Sequence, residues 1–280
     1  MGTMDSAREG AANVESAAEN VAEHPVFENI ARGGFVMSGL VHVLIGLIAL
    51  RVALGGSSQD ADQSGALRAI ASAPGGNILL WIGGLAMVAL MIWHLAEAWF
   101  GAKWEDDTKK RVNHVVKTVG KAVVYGALAV TALRFAAGGS SDSGEQTSEL
   151  TAGFLGNPAG RIAIVIAGLV ALGIGGYHVV KGISRGFEDD LRLPRGQKVA
   201  GVVVVTGVIG YIAKGLALIG VGIMFAWAGI GSDPEKATGM DGALKAMVSL
   251  PLGTVLLAVV GAGLILYGVY AVLRSRYAPM

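Results

Sequence analysis

Residues 74–99 read PGGNILLWIGGLAMVALMIWHLAEAW, and the same design returns twice further along the chain. Pro74-Gly-Gly76 becomes Pro158-Ala-Gly160 and then Pro251-Leu-Gly253, each opening a long apolar run. Inside the runs Gly84, Gly168 and Gly261 fall in step, as do Trp93, Tyr177 and Tyr270. Upstream, GALRAIASAP at 65–74 reappears as GALKAMVSLP at 242–251. A fixed-period repeat of this kind sets the architecture before any single element is considered. Each run is about 22 residues long with proline at its first turn, enough for a helix to cross a bilayer.

Composition agrees with that reading. Of 280 residues, 53% are hydrophobic and only 15% charged, and the apolar ones are gathered into long blocks almost free of charge. A soluble chain of this size would carry a more charged surface. The net charge of +1, with no Lys/Arg-rich block, argues against nucleic acid as a partner. The chain has no cysteine, so disulfides, thiolate metal sites, iron–sulfur clusters and thiol catalysis are excluded.

Six spans are expected, at about 33–54, 78–100, 115–137, 160–183, 200–228 and 251–273, arranged as three tandem two-helix hairpins. The division is a polar segment at 1–31, then repeats at 32–103, 104–186 and 187–277. Because every copy begins on the same side of the membrane, the repeats are parallel and related by a pseudo-threefold axis along the membrane normal. The first spans end alike, with Arg51 before Gly55, Arg134 before Gly138, and Gly231 in the third copy. Residues 1–31 lack a basic start followed by an apolar core, so no cleavable signal peptide is expected; a thin amphipathic helix can form over 11–23.

Loop charges orient the chain. One side carries Arg32, Lys103, Lys109 to Arg111, Lys181, Arg185, Arg192 and Arg274 among others, and the other carries Arg51, Arg68, Arg134, Arg161, Lys236 and Lys245. The Lys/Arg excess marks the first side as cytoplasmic and leaves both termini there, in a multi-pass protein of the cell (inner) membrane. Trp81 and Trp99 suit interface anchors at the two ends. In the outer loops Leu67/Ile70/Ala71 and Leu244/Met247/Val248 recur at helical spacing, which predicts short helices lying flat on the membrane surface. On the inner side Glu105-Asp106-Asp107 matches Glu188-Asp189-Asp190; adjacent acids point in different directions, so a helix-capping cluster is expected rather than a metal site.

Ionisable groups within spans cost several kcal/mol in hydrocarbon unless paired or wetted, so they mark candidate sites. His42, His94, Glu97, Lys121, His178 and Lys214 are the six. Lys121 and Lys214 lie seventeen residues from Gly138 and Gly231, about 25 Å at a rise of 1.5 Å per residue. His94 and His178 lie eighteen residues from Gly76 and Gly160, about 27 Å on the same rise. All four therefore sit in the inner third of the membrane. Glu97 is placed to serve as counter-ion to Lys121, Lys214 or both; in the plainer account the lysines snorkel outward and the histidines satisfy backbone carbonyls. Counting back from the span ends makes Ser38, Lys121 and Lys214 equivalent, and likewise His42, Tyr125 and Leu218.

Enzyme signatures are missing: no phosphate loop, no GxSxG elbow and no HExxH pair. His94-Leu-Ala-Glu97 reverses the di-iron Glu-x-x-His pattern and occurs once. His94 and His178 at one depth suggest axial heme ligands, yet the third copy has Ala271 there. The expected function is therefore non-enzymatic: an accessory or scaffold protein working through contacts with membrane lipids, a membrane-protein partner or a second copy, with no cofactor and no metal. A small-solute or proton-coupled permease using the Glu/Lys/His cluster is the alternative, and a heme-binding membrane protein the third.

Three tandem hairpins, with Gly120-Lys121-Ala-Val-Val-Tyr125 and Ala213-Lys214-Gly215 in first helices and Pro-x-Gly opening the second helices, resemble the bacterial membrane proteins of domain of unknown function 1206. The resemblance covers roughly 32–277. It implies the fold and a membrane location, and brings no catalytic residues. The first repeat departs from the pattern, with Ser38 and His42 where the second has Lys121 and Tyr125.

Overall fold

The computed structural model describes residues 25–56, 61–104, 108–140, 142–192 and 196–278; the expected helix over 11–23 and the acidic triplet at 105–107 lie outside them. Among the described residues every regular element is helical. The long helices are α1 (Pro25–Ala53), α3 (Gly76–Trp104), α4 (Thr108–Ala136), α6 (Pro158–Ile183), α7 (Gln197–Gly231) and α9 (Gly253–Tyr277). Each contains a segment long and apolar enough to cross a membrane. Short helices α2 (Gln63–Ala71), α5 (Ser143–Leu155) and α8 (Gly239–Val248) interrupt the three loops at one end.

The repeats end their first spans by the same backbone device. Gly55 and Gly138 take φ of 80° and 81°, the left-handed conformation that turns the chain out of a helix without a side-chain clash. The amides that follow, Gly56 and Gly139, close back on the carbonyls of Arg51 and Arg134 at 2.9 Å. In the third copy Ser232 occupies this region instead, at φ 52°.

The Pro-x-Gly openings have a common cause as well. A methyl added to Gly76, Gly160 or Gly253 would overlap the carbonyl oxygen of Ile70, Phe154 or Met247 respectively. The last turn of each short helix thus rests on the first turn of the second span, and only a residue without Cβ admits the contact. The repeated glycine therefore records a repeated backbone approach.

The short helices turn their apolar faces onto the protein itself. Leu67, Ile70, Leu244 and Met247 are buried against the long helices, and α2, α5 and α8 meet one another as a cap. The hydroxyls of Ser64 and Ser143 join α2 to α5. Ser148 donates to the Pro234 carbonyl oxygen at 2.9 Å, and the Ala61 amide donates to Asp241 of α8 at 2.7 Å. With spans beneath them, apolar faces that would otherwise float at the interface gain dispersion contacts inside the protein.

The closest helix pairs are offset by one element from the sequence hairpins. The second span of each repeat packs on the first span of the next: α3 on α4, α6 on α7, and α9 back on α1. These seams are built from glycine. A methyl on Gly175 would come within 2.8 Å of the Gly215 carbonyl oxygen, and one on Gly222 within 2.8 Å of that of Gly168. On Gly261 it would come within 3.0 Å of the Gly46 oxygen. Apolar burial hardly drives helix association in lipid, so close backbone approach supplies the attraction instead. Within a repeat, α7 and α9 also pack together.

The capped part of the bundle is filled by Ile45, Ile48, Ala49, Ala217, Leu244, Leu257, Val260 and Leu264, a continuous apolar cluster. At the opposite end, which carries Arg32, Lys181, Arg185 and Arg274, the buried cluster is aromatic: Phe187, Tyr211, Tyr267 and Tyr270.

Candidate functional site

The six ionisable residues share one feature of placement. On α1, α4 and α7 the face toward the neighbouring repeat carries Gly39, Ala122 and Gly215. Ser38, Lys121 and Lys214 each precede these by one residue, so all three turn about 100° from the seam in the same sense. On α3 and α6, His94 and His178 follow the seam residues Met91 and Gly175 by three positions, as Ala271 follows Gly268 on α9. Glu97, Lys181 and Arg274 come one turn nearer the basic end. The result is a collar of ionisable groups below the apolar cluster.

The collar divides into two parts. On α3 and α4, the His94 ring stacks on Tyr125 at 5.4 Å and 16°, and its Nδ1 meets Glu97 Oε2 at 2.8 Å. Glu97 thus finds its partner one turn away on its own helix rather than in Lys121 or Lys214. The physical reason is reach: an i,i+3 pair needs no helix to move, whereas Lys121 is exposed and can extend toward the interface.

The other part joins α1, α6, α7 and α9. Lys214 donates to the Tyr267 hydroxyl at 3.0 Å, with its ammonium 4.3 Å from the centre of that ring. The His42 ring lies 4.7 Å from Tyr267, and its Nδ1 meets the Ser38 carbonyl oxygen at 2.7 Å. His178 stacks on Tyr211 at 5.7 Å and 28°, with Nδ1 on the Ile174 carbonyl oxygen at 2.8 Å. His94 and His178 therefore face different aromatic partners, Tyr125 and Tyr211.

Below this layer sits a network that the sequence reading left out. Asp190, in a 3₁₀ turn over Glu188–Asp190, accepts from Lys181 Nζ at 2.7 Å and lies 3.9 Å from Arg274. Arg274 also reaches the Tyr211 hydroxyl at 3.5 Å and lies over the Phe35 ring at 4.8 Å. Phe187 fills the middle, stacked on Tyr211 at 5.3 Å and 10°. The second acidic triplet thus works through one member, Asp190, as an anchor for two cations. The signal was available: Lys181 and Arg274 are the repeat equivalents of Glu97, so two of three copies place a cation where the first has an acid.

Among the described residues no three His, Asp or Glu side chains converge as a metal site requires. Chemically, the collar offers cations and phenols: it can hold an anion or stack against a planar group.

These features define a class: an all-helical, six-span integral membrane protein built from three tandem repeats. The chain belongs to the family described as Domain of Unknown Function (DUF1206), whose model matches residues 33–101, 116–185 and 209–278. It is similar to an uncharacterized protein of Bacillus subtilis (strain 168), YxxB, with 27% identity over 259 residues, covering 91% of this chain and 93% of that one. No solved structure matches it.

Proposed function

We propose that this is a non-enzymatic protein of the cell membrane that works by holding lipid or a membrane-protein partner, with both termini cytoplasmic. One observation carries the reading. The axis toward the capped end is filled by buried Ile45, Ala49, Ala217, Leu257, Val260 and Leu264, while His42, His94, His178, Lys121 and Lys214 lie on the basic-end side of that cluster. A group held in the collar therefore enters and leaves from one side, which suits retention better than passage. The orientation rests on the Lys/Arg excess at that same end.

A proton-coupled permease is the second reading, favoured by the placement of His42 and His178 around Lys214. Two measurements separate them. Native mass spectrometry of gently solubilised protein is expected to show a stoichiometric lipid or protein. Proteoliposomes loaded with a pH-sensitive dye are expected to follow empty liposomes under an imposed gradient. Proton flux that is lost on Lys214→Met, with no co-purifying molecule, overturns the first reading in favour of the second.

A further inference from the structure

At the basic end, the group formed by α6, α7 and α9 is covered by its own connecting loop. Phe187 belongs to that loop, between α6 and α7, yet it is 0% exposed. Its ring stacks on Tyr211 at 5.3 Å and 10° and meets the Tyr270 ring edge-on, also at 5.3 Å. Gly207 makes the room: a methyl there would come within 2.4 Å of the Phe187 ring. Gly207 stands seven residues nearer the start of α7 than Lys214, about 10 Å at a rise of 1.5 Å per residue. Phe187 therefore lies on the basic-end side of Lys214.

Polar ties hold this loop down. Asp190 accepts from Lys181 at 2.7 Å, and the Arg192 amide donates to the Tyr277 carbonyl oxygen of α9 at 2.7 Å. Other features oppose closure. Arg185 enters the loop at φ 56°, a left-handed conformation that a side chain resists. Glu188 Oε1, the Tyr270 hydroxyl and Arg274 Nε are buried without a hydrogen-bond partner among the described residues, so they lose water contacts that nothing replaces. Asp190 serves Arg274 poorly, since 3.9 Å is too long for a hydrogen bond. One carboxylate thus answers two cations, and the donors of Tyr270 and Arg274, one turn apart on α9, stay unmet. This is an anion site with an undersized occupant.

We propose that Lys181 and Arg274 form a site for a phosphate group, and that residues 184–192 are a latch whose Asp190 fills the site until phosphate displaces it. A phosphate has more acceptor oxygens than a carboxylate and meets both cations together. Once bound, it repels the three acids of the loop, Glu188 to Asp190, and draws Phe187 away from Gly207. The inference rests on the reading that a held group enters the collar from the basic end, and it names what moves to admit that group.

The test uses the absence of native cysteine. Leu191→Cys puts a single thiol on a buried residue of the latch, and its rate of reaction with N-ethylmaleimide reports opening. The full chain is placed in nanodiscs of phosphatidylcholine, then in nanodiscs containing phosphatidylglycerol, or is given inorganic phosphate against chloride at matched ionic strength. In phosphatidylcholine, Asp190→Asn is expected to raise the rate about fivefold, a modest factor because the tie is partly exposed, and Phe187→Ala more than tenfold. Phosphatidylglycerol or inorganic phosphate is expected to raise the rate where chloride does not, and whichever acts identifies the source of the phosphate. Lys181→Met should raise the basal rate as Asp190→Asn does but abolish the response to phosphate, whereas Asp190→Asn should respond at lower phosphate. A thiol at Ala243, buried in the cap, should stay unreactive throughout. Rates unchanged by Asp190→Asn and Phe187→Ala overturn the proposal. So does an equal response to chloride, which is screening, a response that survives Lys181→Met, or parallel reaction at Ala243→Cys, which is general loosening. A latch that fails these tests while native mass spectrometry shows a retained lipid or protein refutes this inference alone; a latch that opens while nothing is retained refutes the retention reading.

Discussion

Replacing Gly46 by alanine tests whether the first and last spans pack together through close backbone approach. A Cβ at Gly46 would sit 2.5 Å from the Gly261 carbonyl oxygen, 2.8 Å from Ile265 Cγ1 and 2.9 Å from the Ile265 nitrogen. Ordinary contact at such a carbon begins near 3.4 Å, so α1 and α9 must separate by about 0.9 Å (3.4 − 2.5) along that line. Two of the three obstructing atoms are backbone, which cannot swing aside as a side chain would. Overpacking of this kind costs about 1–3 kcal/mol, and in a bilayer no apolar burial compensates for the lost contact. The comparison is Gly173→Ala on α6, where nothing lies within 4 Å of the added carbon. Reversible unfolding in dodecyl sulfate, followed by tryptophan fluorescence, should place Gly46→Ala below the parent by that amount and Gly173→Ala at or slightly above it. If the two variants unfold together, the α1–α9 seam does not exist as described.

The remaining expectations follow from the same contacts. Gly253→Ala puts a methyl onto the Met247 carbonyl oxygen, and Gly76→Ala does the same at Ile70; both should cost more than Gly46→Ala, seen as lower yield of monodisperse protein and an earlier melt. Asp241→Ala removes the acceptor of the Ala61 amide and the partner of Lys245, so the cap should loosen by about 1–3 kcal/mol and the Ala61 amide should exchange faster in deuterium. Glu97→Gln preserves an acceptor for His94 and should melt close to the parent, while Glu97→Ala should cost about 0.5–1 kcal/mol, since the pair is partly exposed. Because the chain has no cysteine, single replacements report topology cleanly: Ser249→Cys should react with an impermeant maleimide on intact cells, and Ser184→Cys only after lysis. The reverse pattern would invert the orientation.

What the sequence by itself determined was everything carried by length and period. Six apolar runs, their three-fold recurrence, and the glycines at their ends are written in one dimension, because a span needs only enough consecutive apolar residues and a turn needs only a residue that tolerates it. The level of the ionisable residues was equally legible, since depth along a helix is a count of residues times a constant rise. Which helix meets which was decided by the tertiary structure alone. A span is apolar toward lipid and toward its neighbours alike, so no hydrophobic stripe says which face is covered. Nothing in the repeat announces that α3 prefers α4 to α1. Tyr177 and Tyr270 are equivalent in sequence, yet one is exposed and the other fully buried, because α9 packs on α7 while α6 does not pack on α4 in the same way. Glu97 likewise had several cations within plausible reach, and the rotamer that meets His94 on the same helix was chosen by geometry that no spacing rule encodes.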